Sequence, residues 1–122
     1  MGVTQNIPQD QWQLFFTDIG RRYQGWGVTV EVMRLDLGDQ TATEALPLQG
    51  ITYEEKGSQA GDIYIEAGDT PEELVIHHVD QPRAVRAAES GDEEDLEIES
   101  ADGTKTLVRL RRLVPLDAEG HA

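Results

Sequence analysis

Apolar positions in the first quarter of the chain recur with the period of a helix. Trp12, Phe15, Phe16, Ile19 and Tyr23 stand at i, i+3, i+4, i+7 and i+11, one stripe of a repeat of about 3.6 residues. The stripe takes both phenylalanines, one of the two tryptophans and one of the three tyrosines. It predicts an amphipathic helix over about residues 7–23 with its aromatic side turned inward. Asn6 reads as the N-cap, with Gln9 as its capping-box partner and Pro8 in the first turn, where a missing N–H costs nothing. Asp10 near the start and Arg21 and Arg22 near the end carry the signs that the helix dipole favours. Gly25 is placed to stop the helix in the left-handed conformation. Gly20 sits at the edge of the stripe, and a stop there would strand Tyr23, so it reads as a point where a strand approaches closely. Met1 to Gln5 reads as a frayed lead-in.

After Trp26 the alternation shortens to every second residue. Val28, Val30 and Val32 alternate with Thr29 and Glu31, the pattern of a half-buried strand. Apolar parity then shifts to Met33, Leu35 and Leu37, which predicts a bulge near Val32. Leu37-Gly38-Asp39-Gln40 is a turn into a strand carrying Ala42, Leu46 and Leu48. Parity flips again at Gly50 to Ile51 and Tyr53, and a glycine at such a flip marks a sharp bend; Pro47 places this strand at an edge or a bulge. Lys56-Gly57-Ser58-Gln59 turns the chain into Ile63, Ile65 and Ala67. A polar connection from Gly68 to Glu73 leads to a short strand from Leu74 to Val79. Asp80-Gln81-Pro82 then turns into Arg83 to Ala88, and Ser90 to Asp95 reads as an acidic loop.

The last hairpin, Leu96 to Ser100 with Thr104 to Arg111, allows a choice of register. A loop of Asp102-Gly103 alone pairs Leu96 with Arg109 and puts arginine on the apolar side. A loop of Ala101-Asp102-Gly103, with Gly103 left-handed, pairs Leu96 with Val108, Ile98 with Thr106, Glu99 with Lys105 and Asp95 with Arg109. Parity selects the longer loop. The prediction is a single domain over 1–122, α+β and mainly β, with an acidic tail over 113–122. One N-terminal amphipathic helix packs on a strongly bent antiparallel sheet of about seven strands within 26–111, whose closed form is a small barrel of the Sm or SH3 kind.

Twenty-four acidic residues face ten basic ones, for a net charge of −14. Such a field repels phosphate backbones and anionic lipid, which disfavours nucleic acid and membrane partners. The chain has no cysteine, which removes disulfides and thiolate chemistry. It carries neither a signal-peptide pattern nor the ~20-residue apolar run of a membrane span. The expected compartment is the cytoplasm.

An ordered set of short motifs carries a resemblance. Ile7-Pro8 precedes Trp12 and Phe15-Phe16, and Gly25-Trp26 runs into Val28-Thr29-Val30. Leu46-Pro47-Leu48-Gln49-Gly50-Ile51 follows, and then Glu97-Ile98-Glu99-Ser100-Ala101-Asp102-Gly103-Thr104 with Leu107 and Arg109. Together they resemble a family of small bacterial proteins known only as a domain of unknown function. The resemblance implies a bacterial cytoplasmic protein of about one domain, and no activity, cofactor or catalytic residue comes with it.

Candidate chemistry is sparse. His77-His78 has Glu73 and Asp80 nearby, but adjacent strand residues point to opposite faces, zinc takes three or four ligands, and His121 lies in the tail. No metal, cofactor or catalytic residue is therefore assigned. Glu89 to Glu99 holds seven carboxylates in eleven residues without the spacing of a calcium loop. Arg109, Arg111 and Arg112, with Arg83 and Arg86, form the basic concentration. Arg109 and Arg111 project opposite Val108 and Leu110, ready to pair with the acidic hairpin partner or to meet a phosphate. No phosphate loop or nucleophile elbow is present. Leu14 faces away from the stripe, and Trp26 stands between two glycines at the helix-to-strand corner. With Tyr64, Leu107, Arg109 and Arg111 they make the candidate interaction surface. The reading is a non-catalytic interaction or structural module that binds a protein partner or forms a homo-oligomer. The alternatives are a small-ligand or nucleic-acid binder using the arginine face, and a metal-dependent enzyme on His77, His78 and nearby carboxylates.

Overall fold

The computed structural model describes residues 3–34, 36, 38–56, 59–90 and 92–112. The aromatic stripe lies on helix α1 (Trp12–Arg22), preceded by a single 3-10 turn at Gln9–Gln11. Trp12, Phe16, Ile19 and Tyr23 are buried, and Phe15 is half-buried. The helix runs through Gly20, whose Cβ, if added, would lie 3.2 Å from the backbone nitrogen of Ile51. That glycine is the expected point of close approach. Gly25, at φ 87°, turns the chain out of the helix.

The strands are β1 (Val3–Ile7), β2 (Gly27–Arg34), β3 (Gly38–Lys56), β4 (Gln59–Ala67), β5 (Val75–Val79), β6 (Pro82–Ser90), β7 (Glu93–Ser100) and β8 (Lys105–Arg111). They form one antiparallel sheet in the order β1-β6-β7-β8-β2-β3-β4-β5. The predicted helix start is wrong. Residues expected to fray and then cap the helix are β1 instead, with Asn6 opposite Arg86. Pro8 is the physical reason, because a proline ring disfavours the helical region for the residue before it and keeps Ile7 extended. No side chain caps either helical start. The Trp12 indole N–H instead donates to the Ile7 carbonyl at 2.8 Å, tying β1 to α1.

The curl of the sheet is concentrated in β3. Its first half pairs with β2 and its second half with β4. Stepping along the ladders, β3 advances one residue more than its partner between Val28 and Val30, between Val30 and Glu31, and between Leu48 and Gly50. Each step is a bulge, and bulges bend and twist the strand that carries them. The bulge expected in β2 near Val32 therefore lies across the ladder in β3, while β2 runs unbroken against β8. Ala45 takes φ 53° there, and its N–H donates to the Thr29 hydroxyl at 3.1 Å. The bend expected at Gly50 is present.

The curl stops short of closure. Among the described residues β1 and β5 each have one strand neighbour and end the sheet. β1 occupies the outer side of β6, and among the described residues no ladder joins β1 to β5. The final hairpin has the expected register, with Leu96 opposite Val108, Glu99 opposite Lys105 and Gly103 at φ 90°. Leu35, Leu37, the Gly57-Ser58 turn, the tail 113–122 and His121 lie outside the described residues.

α1 lays its stripe on β3, where Trp12 meets Tyr53 edge-on at 5.3 Å between ring centres. Val28, Val30, Leu48, Ile63, Ile65, Val85, Leu96, Ile98, Val108 and Leu110 complete the buried layer. Phe16 is wholly buried at the middle of the stripe. Phe16→Ala is expected to lower the unfolding free energy by about 3–5 kcal/mol, read by urea denaturation. A loss under about 1 kcal/mol would mean that this side chain is not enclosed.

Candidate functional site

Strand parity sends alternate charged side chains of β6, β7, β8 and β2 to the outer face of the sheet. Arg86 reaches Glu97 at 2.9 Å and Glu99 at 3.4 Å. Lys105 reaches Glu97 at 3.7 Å, and Arg109 reaches Glu31 at 3.2 Å. Arg111 holds Asp95 at 2.9 Å and Glu93 at 3.5 Å, and Arg112 lies 3.9 Å from Asp92. The register sets Asp95 opposite Arg109 as expected, yet the ion pair forms with Arg111. The acidic segment read as a loop is largely strand, since β6 continues to Ser90 and β7 begins at Glu93. Ladder pairing with β8 extends it, because each outward carboxylate meets a cation across the sheet.

The other members of the candidate surface occupy separate places. Leu14 is 77% exposed on the outer side of α1. Trp26 is half-buried at the corner, edge-on to Tyr23 at 4.6 Å, with the Arg112 guanidinium 5.5 Å above its ring. Tyr64 stacks on His78 at 4.8 Å. Leu107 is half-buried between Glu31 and Glu97 on the charged outer face. No ring contact, ion pair or strand pairing among the described residues joins these four into one patch. The sheet edges differ from this face. β1 and β5 are the two strands of the eight that contain no Asp, Glu, Lys or Arg. On β5, Val75 is 42% exposed and Ile76 56% exposed.

The two histidines point to opposite faces, as their adjacency requires. His77 is partly buried, and that burial, with His78 beside it, holds its pKa below the ordinary histidine value. His78 is exposed, and its Nε2 lies 2.8 Å from Asp62 Oδ2. Asp80 brings a third donor, all within 4.8 Å of one another. Three donors suffice for an open zinc site, but the His78 nitrogen is already committed to the Asp62 carboxylate.

A second polar group lies inside the fold. Glu94 is 4% exposed and accepts the Tyr23 hydroxyl at 3.0 Å on Oε1. Tyr23 also reaches Glu89 at 3.3 Å, and Arg22 donates to Glu89 at 3.2 Å and to Asp18 at 3.4 Å. Burial pushes the Glu94 carboxyl up from its ordinary range, against a smaller lowering by the Tyr23 hydrogen bond. Burial, then the bond to Glu94, pushes the Tyr23 phenol up as well. Arg22, Glu89 and Glu94 border a cavity of about 300 Å³ between α1 and strands β1, β6 and β7, also lined by Gln5, Phe15, Ile19 and Ala87.

A family model described as "Family of unknown function (DUF5335)" matches residues 3–119. The chain belongs to the DUF5335 family. It is also similar to an "Uncharacterized protein" of Aquifex aeolicus (strain VF5), 28% identical over 116 residues, covering 93% of this chain and 97% of that one. No solved structure matches. In the described part of this DUF5335 chain, no helix is long and apolar enough to cross a membrane.

Sequence reading missed two residues of this DUF5335 chain that the fold brings into play. Asp62 joins His78 only through the β4–β5 pairing of Tyr64 with His78 and Ile63 with Val79, a contact between segments far apart in sequence. Glu94 did carry a signal, because it shares the parity of Leu96 and Ile98 and so belongs to the inner face. Its titration gives a sign that can be checked. A carboxyl whose folded pKa is raised contributes stability below its unfolded value of about 4.5, and that contribution is lost as pH rises through the folded value. Glu94→Gln keeps an acceptor for Tyr23 and does not ionise. Its melting temperature relative to wild type is expected to be higher at pH 8 than at pH 4. A difference that stays flat across that range would show that Glu94 is not desolvated.

Proposed function

We propose that this chain is a non-catalytic module that pairs with a second copy of itself along strand β5. One observation carries the reading: the edge strand β5 bears two of the three exposed large apolar side chains found among the described residues, and no Asp, Glu, Lys or Arg. Open edges are ready templates for another strand, and proteins commonly guard them with lysine, proline or inward charge. β5 has none of these guards, in a chain of net charge −14. The other edge, β1, exposes Thr4, Gln5 and Asn6, which are polar.

A second copy fits this edge electrostatically. An antiparallel two-fold pairing centred on His77 sets Val75 opposite Val79 and Ile76 opposite His78. It sets Asp80 opposite Leu74 and Gln81 opposite Glu73, so no two like charges meet directly. The ion pairs that engage Arg86, Arg109 and Arg111 favour this reading over phosphate binding on the arginine face. The absence of cysteine is in keeping with a bacterial cytoplasmic setting for the dimer.

Light scattering at two protein concentrations tests the proposal. The wild-type mass is expected to rise toward the dimer with concentration. Ile76→Lys should stay monomeric at both while melting within a few degrees of wild type, because the residue is exposed. A wild type that remains monomeric throughout, or an Ile76→Lys variant that dimerises equally well, contradicts it.

A further inference from the structure

The cavity beneath α1 lies on the β1–β6–β7 side of the sheet, away from β5. Its lining divides into two kinds of surface. Phe15, Ile19 and Ala87 make an apolar wall, while Gln5, Arg22, Glu89 and Glu94 supply polar groups. At about 300 Å³ it stands at the small end of ligand pockets, which run from roughly 300 to 1,000 Å³. Glu94 uses one carboxyl oxygen for the Tyr23 hydroxyl, and no donor among the described residues bonds the other. Every fully buried side-chain polar atom among those residues has a hydrogen-bond partner. The second oxygen therefore opens onto the cavity, where a carboxylate has capacity for further donors.

We propose that this cavity binds a small organic cation, an ammonium bearing a short apolar group, with its N–H groups on Glu94 and Glu89 and its apolar body against Phe15 and Ile19.

The charge balance fixes the sign of the ligand. Arg22 and Tyr23 face Glu94 from α1, Glu89 faces it from β6, and Asp95 adjoins it on β7. β1 contributes the neutral Gln5, and β8 places Leu110 opposite. Arg22 is the one cation of this group, and it is already divided between Asp18 and Glu89. With Glu94 ionised, the cavity keeps an excess of negative charge next to an apolar wall. An anion would meet that charge unpaired, and a neutral ligand would leave the buried carboxylate uncompensated. An ammonium answers the carboxylate with charge-assisted hydrogen bonds, and the wall accepts the alkyl part.

The pH dependence follows. The raised pKa of Glu94 comes first from its burial, so the empty cavity holds a proton at low pH that the cation must displace. Affinity therefore strengthens as pH rises through the Glu94 titration.

The probe is n-butylammonium, followed by NMR titration of the full chain with n-butanol and butyrate as controls of matched shape. Saturable shifts at Phe15, Ile19 and Ala87 are expected for butylammonium at pH 8, with weaker binding at pH 4. Both controls and the Glu94→Gln variant should also bind at least about tenfold more weakly. Glu89→Gln, half-exposed on the rim, should weaken binding about threefold and serves if Glu94→Gln does not fold. The proposal is overturned if butylammonium gives no saturable shifts with wild type, if butyrate or butanol binds as well, or if the variants bind as wild type does. The monomeric Ile76→Lys variant binds the probe equally, which separates this site from the dimer contact.

Discussion

The aromatic stripe of α1 lies on a strand that would be too long to serve one flat sheet, and the rest of the molecule follows from how that strand bends. β3 covers nineteen residues and shares itself between two partners. Its three extra residues turn it around the helix, and Gly20 lets the Ile51 backbone come near enough for Trp12 to meet Tyr53 edge-on. Burial of such large side chains contributes roughly 1.5–3 kcal/mol each, a substantial share of the 5–15 kcal/mol typical of a domain. The contact also fixes where α1 stands over the sheet. It sits on β3 and spans toward β6 and β7, leaving the cavity beneath Phe15 and Ile19.

Charge is sorted by position on this frame. The middle strands carry their acids and arginines outward in cross-strand pairs. Single exposed pairs contribute little, about 0–1 kcal/mol, but together they neutralise a face that would otherwise repel itself. The edge strands carry no Asp, Glu, Lys or Arg, and two carboxylates among the described residues are buried, Glu94 hydrogen-bonded to Tyr23 and Asp62 beside His78. That sorting leaves the edge strands and the cavity beneath α1 apart from the ion-paired outer face.

Much of the architecture is legible in the sequence because it is written in local periodicity. The helical stripe, the stop at Gly25, the approach at Gly20 and the three-residue hairpin loop each depend on residues within one element or one turn. The misreadings have a common cause. Asn6, Ile7 and Pro8 carry the local signals of a helix start, and pairing with β6, more than seventy residues away, makes Asn6 and Ile7 the end of a strand. The parity shift after Val32 signals a bulge without saying which side of the ladder carries it. The Asp62–His78 contact and the pairing of Arg111 with Asp95 depend on register between strands, which composition does not reveal. Glu94 was readable in principle, since parity places it with Leu96 and Ile98, but a run of seven carboxylates masks the one that turns inward.

The docking of α1 on β3 can be measured directly by NMR. The account predicts nuclear Overhauser contacts between the rings of Trp12 and Tyr53, and slow solvent exchange of the Trp12 indole proton held by the Ile7 carbonyl. A rapidly exchanging indole with no contact to Tyr53 would contradict it.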